Sequence, residues 1–336
     1  MELAKPYLLF LGDVHDQLAA KTAQGIVDWR PDWCVGQLRL EGCNADCGIE
    51  DVTIAGAVER GARTMVVGVV NSGGVLPDHW ITEIVAALDA GMDVATGLHK
   101  RLSSIPEIAA AAKRNGRHLH DVRFSQQSFA TGKGNKRPGL RLLAVGTDCS
   151  VGKKYTALAL DQEMRARAMK SEFCATGQTG VFISSRGVAI DAVIADFISG
   201  AAEWLTPDNE PDAWQVVEGQ GSLFHPAFAA VTLGLLHGSQ PDAFVVCHEP
   251  TRTNMRGVKH PLPTIQQVMD MTVVQGSLTN PDIRCVGICV NTSALPEDEA
   301  RSYLEGLAAE HGLPATDPIR FGSAGIVDEL QKQFGG

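Results

Sequence analysis

Residues 142–154 read Leu142-Leu143-Ala144-Val145-Gly146-Thr147-Asp148-Cys149-Ser150-Val151-Gly152-Lys153-Lys154. An apolar run stops at Gly146, a short loop follows, and a helical pattern rich in Ala and Leu occupies residues 155–169. This order predicts a strand, a phosphate-binding loop and a helix. Backbone N–H groups at the helix N-terminus and the charge of Lys153 would bind an anion there, because the amides are unpaired and the helix dipole favours negative charge.

One position departs from the usual phosphate loop. That loop has Ser or Thr directly after its Lys, and the hydroxyl holds the magnesium ion of a nucleoside triphosphate. This sequence has Lys154 there, which cannot ligate magnesium and adds a positive charge. The loop therefore suits a pyrophosphate without being obviously equipped to hydrolyse a triphosphate. The alternative, a Gly-rich turn without a ligand, is disfavoured by the strand-to-helix context.

Length and composition describe a soluble globular chain with room for two domains, since it has 336 residues, 44% of them hydrophobic and 20% charged. The formal net charge of −10 argues against binding to nucleic acid. We expect no membrane span and no signal peptide, and hence a cytoplasmic protein. The eight cysteines fit a reducing compartment. Cys43 and Cys47 lack a second ligand pair at zinc-finger spacing, so no metal is expected.

Short apolar runs alternate with helical stretches, which predicts α/β domains with doubly wound parallel sheets. The first half has predicted strands at residues 7–11, 33–35, 64–70, 93–96 and 118–122, with helices at 53–61, 80–90 and 105–115. Two loops that follow strands, 68–74 and 99–102, are candidate rims of a ligand site, although either could simply pack. Residues 125–139 contain Gly, Pro and basic side chains and are typical of a linker. The expected domains are therefore residues 1–124 and 140–336.

The second half repeats the α/β alternation. Predicted strands lie at residues 171–175, 214–217, 243–247 and 285–290, and a helix is predicted at 191–200. Polar or charged clusters follow these strands, at the edge where an open parallel sheet builds its site. On the predicted helix, Asp191 and Asp196 would point about 140° apart, so that only one of them would face the site. Cys285 and Cys289 would share one face of their strand and serve in packing.

Several motifs carry a resemblance. Residues 145–153 resemble the phosphate loop of dethiobiotin synthetase-type proteins, and Glu218-Gly219-Gln220-Gly221-Ser222-Leu223 resembles their acidic, Gly-rich loop. The whole chain resembles a narrower two-domain family, long called a domain of unknown function, with a Rossmann-like N-terminal half and a P-loop NTPase-like C-terminal half. Its signature lies at residues 175–180, 218–226, 233–239 and 248–252. One branch, the DgcN type, transfers acetyl from acetyl-CoA to the amine of D-glutamate.

The resemblance to that branch implies an N-acetyltransferase of D-amino-acid metabolism. Coenzyme A has a pyrophosphate but no γ-phosphate to transfer, so a loop that lacks the magnesium hydroxyl would still suit it. The residues expected to hold this pyrophosphate are Gly146, Thr147, Asp148, Cys149, Ser150, Val151, Gly152, Lys153 and Lys154.

Acyl transfer to an amine requires a base, because an α-amino group with a pKa near 8 is mostly protonated at neutral pH. Glu218 is the first choice, because it ends a strand expected beside the phosphate loop. Asp191, Asp196 and His225 are alternatives. An acetyl intermediate on Cys149 is conceivable but disfavoured. The carboxylates of the substrate would be bound by a set of cations and one hydroxyl, namely Arg252, Arg256, Arg186 and Thr251.

Two other functions stay open at this point. An ATP-dependent ligase or kinase of the dethiobiotin synthetase kind would use Glu218 and Asp148 on magnesium, but the missing hydroxyl counts against it. A nucleotide sensor would bind without reaction, but the density of charged groups at the strand ends counts against it. The expected partner is a small acidic amino acid. The apolar segment 228–238 fits either a core helix or an interface between copies, so a homo-oligomer stays open.

Overall fold

The computed structural model describes residues 3–69, 76–125 and 127–335, and it divides the chain into two compact units. The first unit consists of Met1–Gln127 and Gly177–Ala192, and the second of Ser128–Thr176 and Val193–Gly336. Most of the predicted loop at 68–74 lies outside the described residues. Among the described helices, none has both the length and the apolar character needed to cross a membrane.

The first unit is built on a parallel sheet. Its strands are β1 (Tyr7–Gly12), β2 (Cys34–Arg39), β3 (Thr64–Val67), β4 (Asp93–Thr96) and β5 (Leu119–Asp121), in the order β2-β1-β3-β4-β5. Its helices include α1 (Lys21–Trp29), α2 (Ile54–Glu59), α3 (Asp78–Asp89) and α4 (Pro106–Asn115). Every residue of β1, β3 and β4 is buried, as expected for strands covered by helices on both faces.

The second unit contains a second parallel sheet, and the prediction of two parallel-sheet α/β domains is confirmed. Its strands are β6 (Leu140–Gly146), β7 (Ser171–Cys174), β8 (Trp214–Val217), β9 (Ala243–His248), β10 (Arg284–Val290) and β11 (Ala315–Thr316), in the order β11-β10-β9-β6-β8-β7. Its helices include α5 (Lys153–Ala166), α7 (Ile198–Leu205), α8 (Ala229–Ser239), α9 (Ile265–Gly276), α10 (Glu297–His311) and α11 (Ala324–Phe334). Because later strands add on both sides of β6, the loop after β6 opens at the point where the strand order reverses, the usual ligand position in such sheets.

The segment Gly177–Ala192 belongs to the first unit, although it follows β7 in sequence. Its helix α6 (Gln178–Ser184) begins inside the family signature at residues 175–180. The Oγ1 atoms of Thr22 on α1 and Thr179 on α6 lie 3.1 Å apart, and Phe182 is fully buried. The apolar face of α6 is therefore part of the core of the first unit.

The predicted helix at residues 191–200 is wrong. Two single 3-10 turns occupy Ile190–Ala192 and Ala195–Phe197, and α7 begins only at Ile198. Ile194 between them is extended, with ψ 136°, and β-branched residues such as Val193 and Ile194 have restricted side chains that weaken a helix. Asp191 and Asp196 therefore share no helix, and the angle predicted between their side chains does not apply.

The expectation that Cys285 and Cys289 share a face of β10 is also wrong. The pairing register of β10 against β9 shifts between Cys285 and Gly287. Cys285 packs with Ile288 and Val290 on one face, whereas Cys289 packs in the cluster on the other face. One extra residue at such an irregularity reverses the alternation of side chains that follow it.

Candidate anion-binding site

The loop between β6 and α5 turns back on itself before the helix begins. Ser150 and Gly152 have positive φ angles of 55° and 103°, and Gly152 occupies the position before the first residue of α5. A left-handed conformation at Gly152 carries no penalty because glycine has no Cβ. Gly146 also packs too closely for a larger residue, since a Cβ there would lie 2.8 Å from Val151 Cγ2. The backbone of residues 146–152 therefore forms the tight loop that the sequence predicts.

Lys153 and Thr147 are both buried and hydrogen-bonded. The Lys153 side chain is buried, and its Nζ donates a hydrogen bond to the Asp148 carbonyl oxygen at 2.6 Å. Burial lowers the pKa of Lys153, against smaller opposing contributions from neighbouring groups. The Thr147 hydroxyl lies 3.0 Å from His248 Nδ1, and Thr147 N donates to the Cys247 carbonyl oxygen. The loop is thus fastened to the end of β9.

Asp148 carries a fully buried carboxylate. Its Oδ2 accepts hydrogen bonds from Arg252 Nη1 at 2.9 Å and from Arg256 N at 2.7 Å. Its Oδ1 has no hydrogen-bond partner among the described residues and lies 4.0 Å from His225 Nε2. One carboxylate oxygen is therefore held firmly, while the other is desolvated without compensation.

Arg252 and Arg256 both contact the phosphate loop. Arg252 donates to the carbonyl oxygens of Cys149 at 2.7 Å and Ser150 at 2.9 Å, and its Nε lies 3.2 Å from Glu249 Oε2. Arg256 Nη1 donates to Ser150 Oγ at 2.6 Å. The two arginines predicted to bind substrate and the residues predicted to bind cofactor thus form one cluster. Thr251 is close by in sequence, but its N and Oγ1 both donate to Glu249 Oε1.

The acidic loop after β8 lies against β6, as predicted. Glu218 is almost fully buried, and its Oε2 accepts a hydrogen bond from Thr176 N at 2.9 Å. The next residue, Gly219, packs so closely that a Cβ would lie 1.6 Å from the Ala144 carbonyl oxygen and 2.9 Å from Lys153 Cδ. The loop therefore brings the Gly219 backbone alongside the buried stem of Lys153.

His225 has both ring nitrogens engaged. Ala227 N donates to Nδ1 at 3.2 Å, so Nδ1 must be an acceptor. Nε2 then carries the proton and donates to the Arg256 carbonyl oxygen at 3.0 Å. Among the described residues, Asp148, Cys149 and His225 are the group with metal-ligand atoms all within 4.8 Å of one another. A His ligand needs a free ring nitrogen, so this arrangement does not suit a metal ion.

The remaining predicted residues make other contacts. Arg186 and Asp191 belong to the first unit, where Asp191 Oδ2 accepts a hydrogen bond from Arg123 Nη1 at 2.5 Å. Asp196 is exposed on a 3-10 turn of the second unit. The Lys154 ammonium lies 4.9 Å from the centre of the Tyr155 ring. Their proposed roles stay predictions.

His248 was not among the predicted site residues. Burial lowers the pKa of His248, and the ring stacks on Tyr303 at 6.4 Å between ring centroids. A signal was present, because His248 directly follows the apolar run that becomes β9. Its contact with Thr147 depends on β9 being the neighbour of β6, which the sequence alone does not state.

A Gly-Lys loop between the first strand and first helix of this sheet, together with a second parallel-sheet unit, defines a two-domain protein of the P-loop class. The chain belongs to the DUF1611 family, as the sequence motifs predicted. Residues 128–327 match its P-loop domain (DUF1611_C), and residues 38–125 match its Rossmann-like domain (DUF1611_N), both described as domains of unknown function.

Related proteins match nearly the whole length of the chain. A protein of Tritonibacter scottomollicae, named D-glutamate N-acetyltransferase, is 52% identical over 326 residues, which covers 97% of this chain and 98% of that protein. A protein of the same name from a Pseudoalteromonas species is 49% identical over 331 residues, covering 98% and 100%. The crystal structure of a DUF1611 family protein from Anabaena variabilis ATCC 29413 has a TM-score of 0.87 at 31% identity and covers 98% of this chain and 100% of its own.

Proposed function

We propose that this protein is a D-glutamate N-acetyltransferase that uses acetyl-CoA as its acyl donor. The observation that carries the proposal is that two relatives with this name are 52% and 49% identical over nearly the full length of both chains. In the reaction, the amine nitrogen of D-glutamate forms a bond to the acetyl carbon, and the carbon–sulfur bond of the thioester breaks. The substrate ammonium loses two protons in all, one of which protonates the departing coenzyme A thiolate while the other passes to solvent.

The cation cluster of the second unit supports an anionic reactant. Lys153, Arg252 and Arg256 all contact residues of the phosphate loop. Both reactants carry anionic groups, since acetyl-CoA has a pyrophosphate and D-glutamate has two carboxylates. The pyrophosphate is the ligand that the sequence motif favours, and the carboxylates are the ligand proposed for the two arginines. Because these residues form a single cluster, the two assignments compete for it.

Glu218 stays the proposed general base. Its buried carboxylate follows β8 and accepts a hydrogen bond from Thr176 N. A carboxylate within hydrogen-bonding reach of the substrate amine could take its proton as the bond to the acetyl group forms. His225 is a weaker alternative here, because its ring nitrogens are already used by Ala227 N and the Arg256 carbonyl oxygen. Asp191 is an ion-paired alternative and Asp196 an exposed one.

The proposed activity is tested by mixing the protein with acetyl-CoA and a panel of D- and L-amino acids while free thiol is measured. ATP and magnesium are supplied in a parallel reaction. We expect thiol release that depends on D-glutamate, with N-acetyl-D-glutamate identified by mass spectrometry. Release of ADP without acetylated product would instead support a ligase or kinase and overturn the proposal.

A further inference from the structure

We propose that the phosphate loop binds the acceptor amino acid, with the Asp148 carboxylate receiving its amino group and the neighbouring cations receiving a carboxylate. This inference rests on the proposed function and names the reactant that occupies the cluster. It gives Asp148 a role in recognising the amine, a role that the phosphate-loop motif does not supply.

The proposal rests first on the burial and hydrogen bonding of the Asp148 carboxylate. The side chain is fully buried, and Oδ1 accepts no hydrogen bond from any described residue, although Oδ2 accepts two. Desolvating a charged acceptor without a partner is unfavourable, and such atoms in folded proteins usually await a ligand or an ordered water. Cys149 and Ser150 directly after it are at least partly exposed, so the position lies just below the surface of the loop.

The chemistry of a partner for Oδ1 follows from its neighbours. A phosphate would be repelled by the carboxylate oxygen, so the group that meets Oδ1 must donate a hydrogen bond or carry positive charge. A metal ion is disfavoured because His225 offers no free ring nitrogen. An ammonium needs only acceptors, and Oδ1 is an acceptor that is already oriented by the two bonds to Oδ2. The amino group of an amino acid fits this description.

Positive charge lies beside the same carboxylate. Arg252 Nη1 contacts Asp148 Oδ2, Arg256 Nη1 contacts Ser150 Oγ, and Lys153 Nζ contacts the Asp148 carbonyl oxygen. An α-amino acid carries an ammonium and a carboxylate two bonds apart through its α-carbon, so it can meet an acidic and a basic group of one small site together. A pyrophosphate would use the cations but leave Oδ1 uncompensated. The arrangement therefore favours the amino acid.

The two assignments are distinguishable because the thioester and the pyrophosphate of acetyl-CoA lie at opposite ends of the long pantetheine arm. If the amine that reacts sits at Asp148, the acetyl group must also come there and the pyrophosphate must lie elsewhere. That residues 146–154 bind the pyrophosphate stays a prediction. If they do, a substitution in this loop should weaken binding of acetyl-CoA and leave binding of D-glutamate unchanged.

The test is Asp148→Asn. Both groups at Oδ2 are donors, so the amide oxygen must face them and the NH2 group must replace Oδ1. The variant thus presents a donor where an ammonium needs an acceptor. Calorimetry would measure binding of D-glutamate and of glutarate, which has the carboxylates but no amine. We expect D-glutamate affinity to fall about tenfold or more, as for loss of one charge-assisted bond, while glutarate affinity changes less than about twofold.

Four outcomes would overturn the inference. Equal weakening of both ligands would show that Asp148 merely holds Arg252 in place. Weaker binding of acetyl-CoA, with unchanged binding of D-glutamate, would assign the loop to the pyrophosphate. If the wild type neither binds nor acetylates D-glutamate, the proposed function falls together with this inference. If it acetylates D-glutamate and the variant binds it normally, only the inference falls.

Asp89→Asn is the matched control, since Asp89 is a carboxylate of the first unit that accepts hydrogen bonds from Arg114 and Asn115. It should leave both affinities unchanged. If Asp148→Asn does not fold, as judged by thermal unfolding, Lys153→Ala replaces it. We then expect KM for D-glutamate to rise about tenfold while KM for acetyl-CoA changes less than about twofold. A rise confined to acetyl-CoA would overturn the inference.

Discussion

Glu218 accepts a hydrogen bond from Thr176 N through Oε2, so a glutamine there would turn its oxygen to Thr176. Glu218→Gln therefore keeps this contact while removing the basic carboxylate. If Glu218 takes the proton from the amine, kcat should fall by about 10² to 10⁴ while both KM values change little. Steady-state kinetics across pH would measure this, and the limb of the pH profile due to the base should disappear.

Glu172→Gln is a suitable control for that experiment, because Glu172 also accepts a hydrogen bond, from Gln215 Nε2. Glu172 lies near the start of β7, whereas Glu218 follows the carboxyl end of β8. It should keep wild-type kcat. Full activity in Glu218→Gln would remove Glu218 as the base and direct attention to His225 and Asp196.

Gly219 tests a second property of the same loop, its close approach to β6. A Cβ would lie 1.6 Å from the Ala144 carbonyl oxygen, and backbone cannot give way as a side chain can. Gly219→Ala should lower the free energy of unfolding by about 1–3 kcal/mol, the usual cost of overpacking, measured by urea denaturation. Gly306→Ala is the control, since nothing lies within 4 Å of that position on α10. It should raise stability by about 0.5–1 kcal/mol, and a similar loss at both sites would contradict the argument.

Strands were the elements most readily predicted from the sequence. Strands β4 and β8 match their predicted residues, 93–96 and 214–217, and every residue of both strands is buried. The helix predicted at 191–200 is wrong because Ile194 is extended between two 3-10 turns. The register shift in β10 left no signal in composition.

The candidate site was predictable to a similar, partial extent. The phosphate loop follows from a local motif, and its glycines and Lys153 lie within a few residues of one another. The contact between Asp148 and Arg252 joins residues 104 positions apart. Such a contact depends on which strands are neighbours, and it is what turns two predicted sites into one cluster.

His120 on the edge strand β5 makes the stability of the protein depend on pH. His120 Nε2 lies 3.9 Å from Asp93 Oδ2, and the His118 ring is 6.0 Å away between centroids. Burial lowers the pKa of His120, with Asp93 opposing the shift and His118 adding to it. The folded protein then binds fewer protons than the unfolded chain as pH falls through about 6.5, so stability decreases on acidification and is restored above that pH.

His120→Gln should reduce this loss. Urea denaturation at pH 7.5 and 5.5 would measure the unfolding free energies of wild type and variant. His248 also has a pKa lowered by burial and contributes to both proteins alike, so their difference isolates His120. The same pH dependence in both proteins would show that His120 does not titrate differently on folding.

At the scale of the molecule, the two units are interleaved along the chain. The chain passes from one unit to the other after Gln127, after Thr176 and after Ala192. A segment that lies within the sequence match to the P-loop domain, residues 128–327, thus completes the core of the first unit. The expected domains at residues 1–124 and 140–336, with a linker between them, stay a proposal. A mutation within Gly177–Ala192 can show with which unit this segment unfolds.

The Phe182→Ala variant tests with which unit the segment Gly177–Ala192 unfolds. Phe182 is fully buried on α6, and its Cε2 lies 3.6 Å from the position of a Cβ on Gly97 directly after β4. Its truncation should cost about 3–5 kcal/mol of stability. Hydrogen exchange followed by mass spectrometry should show the lost protection in β1, β3, β4 and α1, since these elements share its core. Phe244→Ala, at an equally buried position on β9, should instead expose β6, β9 and β10 to exchange. If Phe182→Ala loosened the strands of the second unit and left β4 protected, the segment would belong energetically to the P-loop unit, and the boundary read from the contacts would be wrong.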